Sequence, residues 1–152
     1  MKRFEGRVAL ITAAAAGLGE AGARRIASEG GRVTIWDRDA QALEAARRKA
    51  ADDGLELEID TIDMLDRDAI EAGVARLVES EGKVDILVNN VGGSLHVPFR
   101  FLEQTDEDWR KVIDINIMPS VWTARAVIPG MRKAGYGRIV NMGSKAGRYG
   151  SL

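Results

Sequence analysis

Residues 11–22 read ITAAAAGLGEAG, and their glycines, Gly17, Gly19 and Gly22, stand in the order G-x-G-x-x-G. That spacing invites a dinucleotide-binding reading, in which glycines let a turn bring backbone N–H groups up to a pyrophosphate at a helix N-terminus. In the commonest such unit the first glycine follows the strand almost directly. Here Ala13 to Ala16 intervene, so Gly17 comes too late to make that first turn. The register that fits has Thr12 closing a strand, Ala13 to Ala16 bending, and Gly17-Leu18-Gly19 opening a helix, with Gly22 packing it. The Ala13 methyl group is expected to be tolerated if the backbone there keeps φ below zero. A strand, turn and helix with no ligand read the same way from these residues alone.

Working outward, short apolar runs alternate with helical patterns. The strand candidates are 7–12 (RVALIT), 32–37 (RVTIWD), 55–60 (LELEID), 84–90 (VDILVNN) and 137–144 (GRIVNMGS). Runs this short and this rich in Val, Ile and Leu suit strands covered on both faces. Leu18, Gly22 and Ile26 set a helix face against the sheet, and Ile70, Val74, Leu77 and Val78 set another that ends at Gly82. Thr105 with Asp108 forms a capping box before one long helix, 106–134, closed by Gly135 and Gly137. Regular alternation argues for an α/β fold with a doubly wound parallel sheet.

The chain of 152 residues allows one domain, taken as 1–152. Its net charge of −1 and pI near 5.9 give no nucleic-acid footprint. No leader pattern or membrane-length apolar run stands in it, so a cytoplasmic protein away from membranes is expected. Having no cysteine excludes disulfides and thiolate chemistry, and His96 is the only histidine. His96 falls in a loop, GGSLHVPF, where a solvated or substrate-edge role is expected. Turn and N-cap duties account for Asp60, Asp63, Asp66 and Asp68, and no metal is expected.

Asp37 ends the second strand, 18 residues after Gly19, where a carboxylate can accept hydrogen bonds from ribose hydroxyls. It would repel a 2′-phosphate, so NAD is preferred over NADP, although Arg38 beside it could offset the repulsion. A helix N-cap is the competing role for Asp37. Asn89 and Asn90 could likewise serve only a turn, and Asn116, three residues before Pro119, could be a surface residue beside a proline kink.

The Thr-small-x-x-x-Gly-x-Gly register, NNVGG at 89–93 and GRIVNMGSKAG at 137–147 resemble the short-chain dehydrogenase/reductase family. The family's patterns are T-G-x-x-x-G-x-G and N-N-A-G, so Ala13 and Val91 are departures. The resemblance implies a Rossmann-like sheet of order 3-2-1-4-5 with a crevice lined by Asn89, Asn90, Val91 and Gly92. It puts Asp63 and Met64 near the adenine. Ser144 takes the place of the catalytic serine, and Asn116 that of the catalytic asparagine, which links a lysine to solvent through water.

The resemblance covers the whole chain but only about the N-terminal three-fifths of a family member. The family's Tyr-x-x-x-Lys pair lies roughly a dozen residues beyond the serine. Tyr149 is five residues past Ser144 with no lysine after it, so it does not substitute. The chain is therefore expected to be truncated before the last two strands, with its fifth strand an exposed apolar edge. The implied whole is an oxidoreductase moving hydride between nicotinamide and a carbonyl or secondary alcohol, homo-oligomeric through helix 106–134. This chain would carry its cofactor half. A dinucleotide-binding module without turnover, and a flavodoxin-like regulator holding a cation at Asp37 and Asp63, are the competing readings.

Overall fold

A computed structural model describes residues 2–144. In chain order it places β1 (Val8–Thr12), α1 (Gly17–Ser28), β2 (Arg32–Asp37), α2 (Ala40–Asp52), β3 (Glu58–Thr61) and α3 (Arg67–Glu81). Then follow β4 (Ile86–Asn89), a 3-10 turn (Phe101–Glu103), α4 (Asp106–Ala134) and β5 (Arg138–Asn141). The strands pair in parallel in the order β3-β2-β1-β4-β5. This is the doubly wound Rossmann-like sheet expected from the sequence.

Three strands are shorter than their apolar runs. Leu55 does not begin β3, because its N–H closes the end of α2 on the Ala50 carbonyl at 2.9 Å. Val84 and Asp85 are buried ahead of β4, where the Asp85 N–H donates to the Val8 carbonyl and its carbonyl accepts the Arg138 N–H at 2.9 Å each, and β5 stops at Asn141. Apolar sequence marks burial, whereas strand length is set by where a neighbour's backbone is in reach.

Side chains alternate across the sheet with period two. Ala9, Ile11, Val33 and Ile35 meet α1 and α2 through Ala23, Leu43 and Ala46. Val8, Leu10, Trp36 and Leu87 meet α3 and α4 through Ile70, Val74, Val127 and Met131. Each fully buried Leu or Ile contributes about 1.5–3 kcal/mol of transfer free energy. Trp36 fits because α3 offers a glycine: a Cβ on Gly73 would lie 2.9 Å from the indole ring.

One expected helix face is rotated and another is narrower than expected. On α1, Leu18 is 74% exposed, and the buried positions are Gly19 and Ala23. The first turn of α1 overhangs the end of the sheet, so only residues one step round reach it. On α3, Ile70, Val74 and Leu77 are buried as expected, but Val78 is 39% exposed.

The amino-terminal edge of the sheet is pinned by Asp85, which takes the Val8 N–H at 3.0 Å, Lys83 at 2.9 Å and Arg7 at 3.2 Å. Burial works to raise the Asp85 pKa, but the bonds from Lys83, Val8 and Arg7 together hold it below the usual carboxylate value. At the other flank, among the described residues β5 pairs only with β4, and Ile139 and Val140 are exposed on it. Among the described residues no helix is long and apolar enough to cross a membrane.

Candidate functional site

β2 lies on one side of β1 and β4 on the other, so helices leave the carboxyl ends of β1 and β4 toward opposite faces and open a crevice between them. The sequence closes that end tightly. Thr12 Oγ1 accepts the Asn90 N–H at 3.1 Å, and Asn90 Nδ2 donates to the Ala13 carbonyl at 2.8 Å. A Cβ on Gly19 would stand 2.7 Å from Asn90 Nδ2, 2.8 Å from Ala14 Cα and 3.0 Å from the Ala13 oxygen. Only glycine lets the first turn of α1 lie in that hollow.

The close-packing glycine is therefore Gly19. A Cβ on Gly22 would meet nothing within 4 Å, so the expected packing role of Gly22 is corrected. Ala13 does not meet the condition for easy tolerance of its methyl group, since its φ is +50°. The bend needs a left-handed residue to carry the Ala14 N–H to the Trp36 carbonyl at 3.0 Å, and alanine is held there at a cost of about 1 kcal/mol.

The N-terminus of α1 differs from the other α-helix starts among the described residues. Asp39 caps α2 by accepting from the Gln41 and Ala42 N–H groups, Asp66 caps α3, and Thr105 with Asp108 forms the expected capping box on α4. Ala16 precedes α1 with no side-chain cap bond. The N–H groups of Gly17, Leu18 and Gly19 are among the leading amides that no helical carbonyl can satisfy.

Asp37 turns toward this bend. One oxygen accepts the Ala15 N–H at 3.2 Å and the other the Asp39 N–H at 3.2 Å, and each retains a lone pair. The N-cap role falls to Asp39 and not to Asp37. A cavity of about 170 Å³ opens beside it, lined by the sequence-flagged Ala13, Asp37, Arg38, Asp63 and Met64. Val91 and Gly92 line it too, whereas the flagged Gly17, Leu18, Gly19 and Asn90 do not, and Ile62, Leu65, Leu95 and Ile115 are lining residues that sequence reasoning missed. Leu95 had no motif to announce it; it sits with His96 at the centre of a turn closed by Val97 N–H on the Ser94 carbonyl, both at positive φ. His96 is exposed.

Asn89 is buried, and its Nδ2 donates to Asn141 Oδ1 at 2.8 Å, tying β4 to β5. Asn116 is placed beside the crevice by α4, which runs unbroken through Pro119. Its Oδ1 accepts the Gly93 N–H at 3.0 Å, while Nδ2 donates to the Gly93 and Val112 carbonyls at 2.8 Å each. That amide clamps the loop after β4. Ser144 is exposed, three residues beyond β5 at the carboxyl edge of the sheet, and Tyr149 lies outside the described residues.

The acidic residues after β3 have local duties: Asp60 pairs with Arg76 at 2.6 Å, Asp63 accepts the Leu65 N–H and Asp66 the Ala69 N–H. Among the described residues no group of three or more His, Cys, Asp or Glu is arranged to hold a metal.

A sequence profile described as short chain dehydrogenase matches residues 7–152. A 2-dehydro-3-deoxy-L-rhamnonate dehydrogenase (NAD(+)) of Sphingomonas sp. (strain SKA58) is 37% identical over 150 residues, covering 98% of this chain and 58% of that protein. An NAD+-bound xylitol dehydrogenase superimposes with TM-score 0.91 at 33% identity, over 99% of this chain and 57% of the other. A metagenomic short-chain oxidoreductase in complex with NADP gives TM-score 0.88 at 33% identity, over 98% and 67%. The chain thus spans somewhat under three-fifths of the length of the first two.

Proposed function

Because the chain belongs to the short-chain dehydrogenase family, we propose that it provides the nucleotide-binding half of an oxidoreductase that moves hydride between a nicotinamide and a carbonyl or secondary alcohol. The carrying observation is the start of α1, the α-helix without a side-chain cap among the described residues, docked against β4 by a glycine that admits no Cβ. A dinucleotide fits these residues. Its pyrophosphate would take the amides of Gly17, Leu18 and Gly19, and Asp37 would accept the ribose hydroxyls. Asp63, Met64, Val91 and Gly92 would border the adenosine, with Ala13 and Asn90 shaping the floor.

A carboxylate at Asp37 disfavours a 2′-phosphate, which supports NAD over NADP even with Arg38 beside it. The nicotinamide, when bound, supplies or accepts hydride. Ser144 would donate a hydrogen bond to the substrate oxygen, stabilising charge that develops there. Asn116 would hold the Gly93 backbone beside the bound nucleotide. Neither Tyr136 nor Tyr149 has a lysine four residues on within this sequence, so binding without turnover is the expectation for this chain by itself. The exposed row Trp109, Ile113, Ile117 and Val121 on α4 supports self-association through that helix.

Calorimetric titration with NAD+ and NADP+, alongside an alcohol and ketone turnover assay, tests the reading. NAD+ should bind saturably and more tightly than NADP+. No binding of either at millimolar concentration would reject it.

A further inference from the structure

A groove of about 780 Å³ that shares no lining residue with the crevice cavity lies between α3 and the C-terminal half of α4. Its floor is apolar: Val74 and Val127 are buried there, and Val78 is 39% exposed. Its rim is cationic, with Arg67, Lys83, Arg125 and Lys133 against the single carboxylate of Glu71. This concentration of positive charge belongs to a chain whose net charge is −1.

The four cations are not equivalent. Arg67 is matched by Glu71 at 2.8 Å and Lys83 by Asp85 at 2.9 Å. Among the described residues the side chains of Arg125 and Lys133 make no hydrogen bond or ion pair. They stand eight residues apart on α4, about 12 Å along the helix axis. Between them Pro129 has no N–H, so the Arg125 carbonyl lacks its helical donor, and a Cβ on Gly130 would meet open space. The groove is thus wide there, and its unpaired charges are all of one sign.

We infer that this groove receives an amphipathic acidic helix of a partner protein, with apolar side chains on Val74, Val78 and Val127 and carboxylates about two turns apart on Arg125 and Lys133. A third helix is the shape that seats between two packed ones. An apolar floor does not suit a nucleic-acid backbone, and the cations supply orientation and salt-sensitive attraction. The inference stands apart from the proposed cofactor chemistry and would survive its failure.

The test is a heteronuclear NMR titration of the 152-residue chain with a synthetic helical peptide carrying leucines on one face and flanking glutamates. Saturable shifts should appear at the amides of Val78, Lys83 and Gly130. Binding should weaken at least tenfold in R125E/K133E, two exposed positions whose spectrum elsewhere should stay folded, and a lysine version of the peptide should bind that variant instead. Equal binding of a glutamine version, or indifference to R125E/K133E, overturns the inference. So do groove shifts that grow with protein concentration without peptide, which would mean a second copy. Saturation by dodecanoate alone, with the peptide inert, also overturns it.

Discussion

The start of α1 and the start of α4 solve the same problem in opposite ways. Both helices present leading N–H groups that the helix cannot satisfy. At α4 the side chains of Thr105 and Asp108 close them reciprocally, with Asp108 N–H to Thr105 Oγ1 at 3.2 Å and Thr105 N–H to Asp108 at 2.9 Å. At α1 an alanine stands in the cap position, and the space around it is shaped by Gly19, Asn90 and Asp37. A helix start finished by its own side chains serves stability, and the one left open is where the proposed dinucleotide would sit.

The comparison breaks most severely at Gly19. Gly19→Ala drives a Cβ against the Ala14 backbone, so it should cost about 1–3 kcal/mol in denaturant unfolding and weaken NAD+ binding by on the order of tenfold or more. Ala16→Asp would make α1 resemble α2 and α3. The prediction is a rise in unliganded stability of about 0.5–1 kcal/mol together with nucleotide affinity at least roughly tenfold lower, because the new carboxylate takes the amides and repels phosphate. If both stability and affinity rise, the open start is not a binding device.

At the capped end, Thr105→Ala should cost about 1 kcal/mol by thermal unfolding and leave nucleotide affinity unchanged. That cap is also pH-sensitive. Bonds from the Thr105 backbone and hydroxyl hold the Asp108 pKa below its usual value, so its contribution is present above the unfolded carboxylate pKa and lost as acid protonates the folded state. Glu29, lowered to about 2 chiefly by its bond from Arg3, loses its contribution in the same direction, between about 4.5 and about 2. Unfolding free energy measured down through pH 4 should fall, and in Glu29→Gln the fall should be shallower. The smallest effect is at Ala13, where Ala13→Gly relieves a φ of +50° and should stabilise by roughly 0.5–1 kcal/mol.

The alternation of Val-rich runs with helix patterns made the sheet legible, because burial on both faces leaves apolar sequence behind. Asp37, Asp63, Met64, Val91 and Gly92 were also legible, since each ends a strand or stands within three residues of its end, and the strand carries it to the crevice. Leu95 and Ile115 were not, because they reach the cavity from a loop and a helix face whose directions depend on tertiary packing. The same limit explains the rotated face of α1. A hydrophobic period gives the spacing of a stripe, but overhang decides which residue of the first turn still touches the sheet. Ala13 shows a different limit: nothing about an alanine in sequence announces a left-handed backbone, which is imposed by bonds to Asn90 and Trp36.

Trp36 sits one residue before Asp37 and is 0% exposed, while Trp109 is 42% exposed. Trp122, partly buried, lies on α4 with Trp109, so of the three indoles only that of Trp36 is sealed. Indole emission from the sealed ring should resist quenching by iodide while the two rings on α4 yield to it, giving an unlabelled readout of β2 separate from events on the long helix.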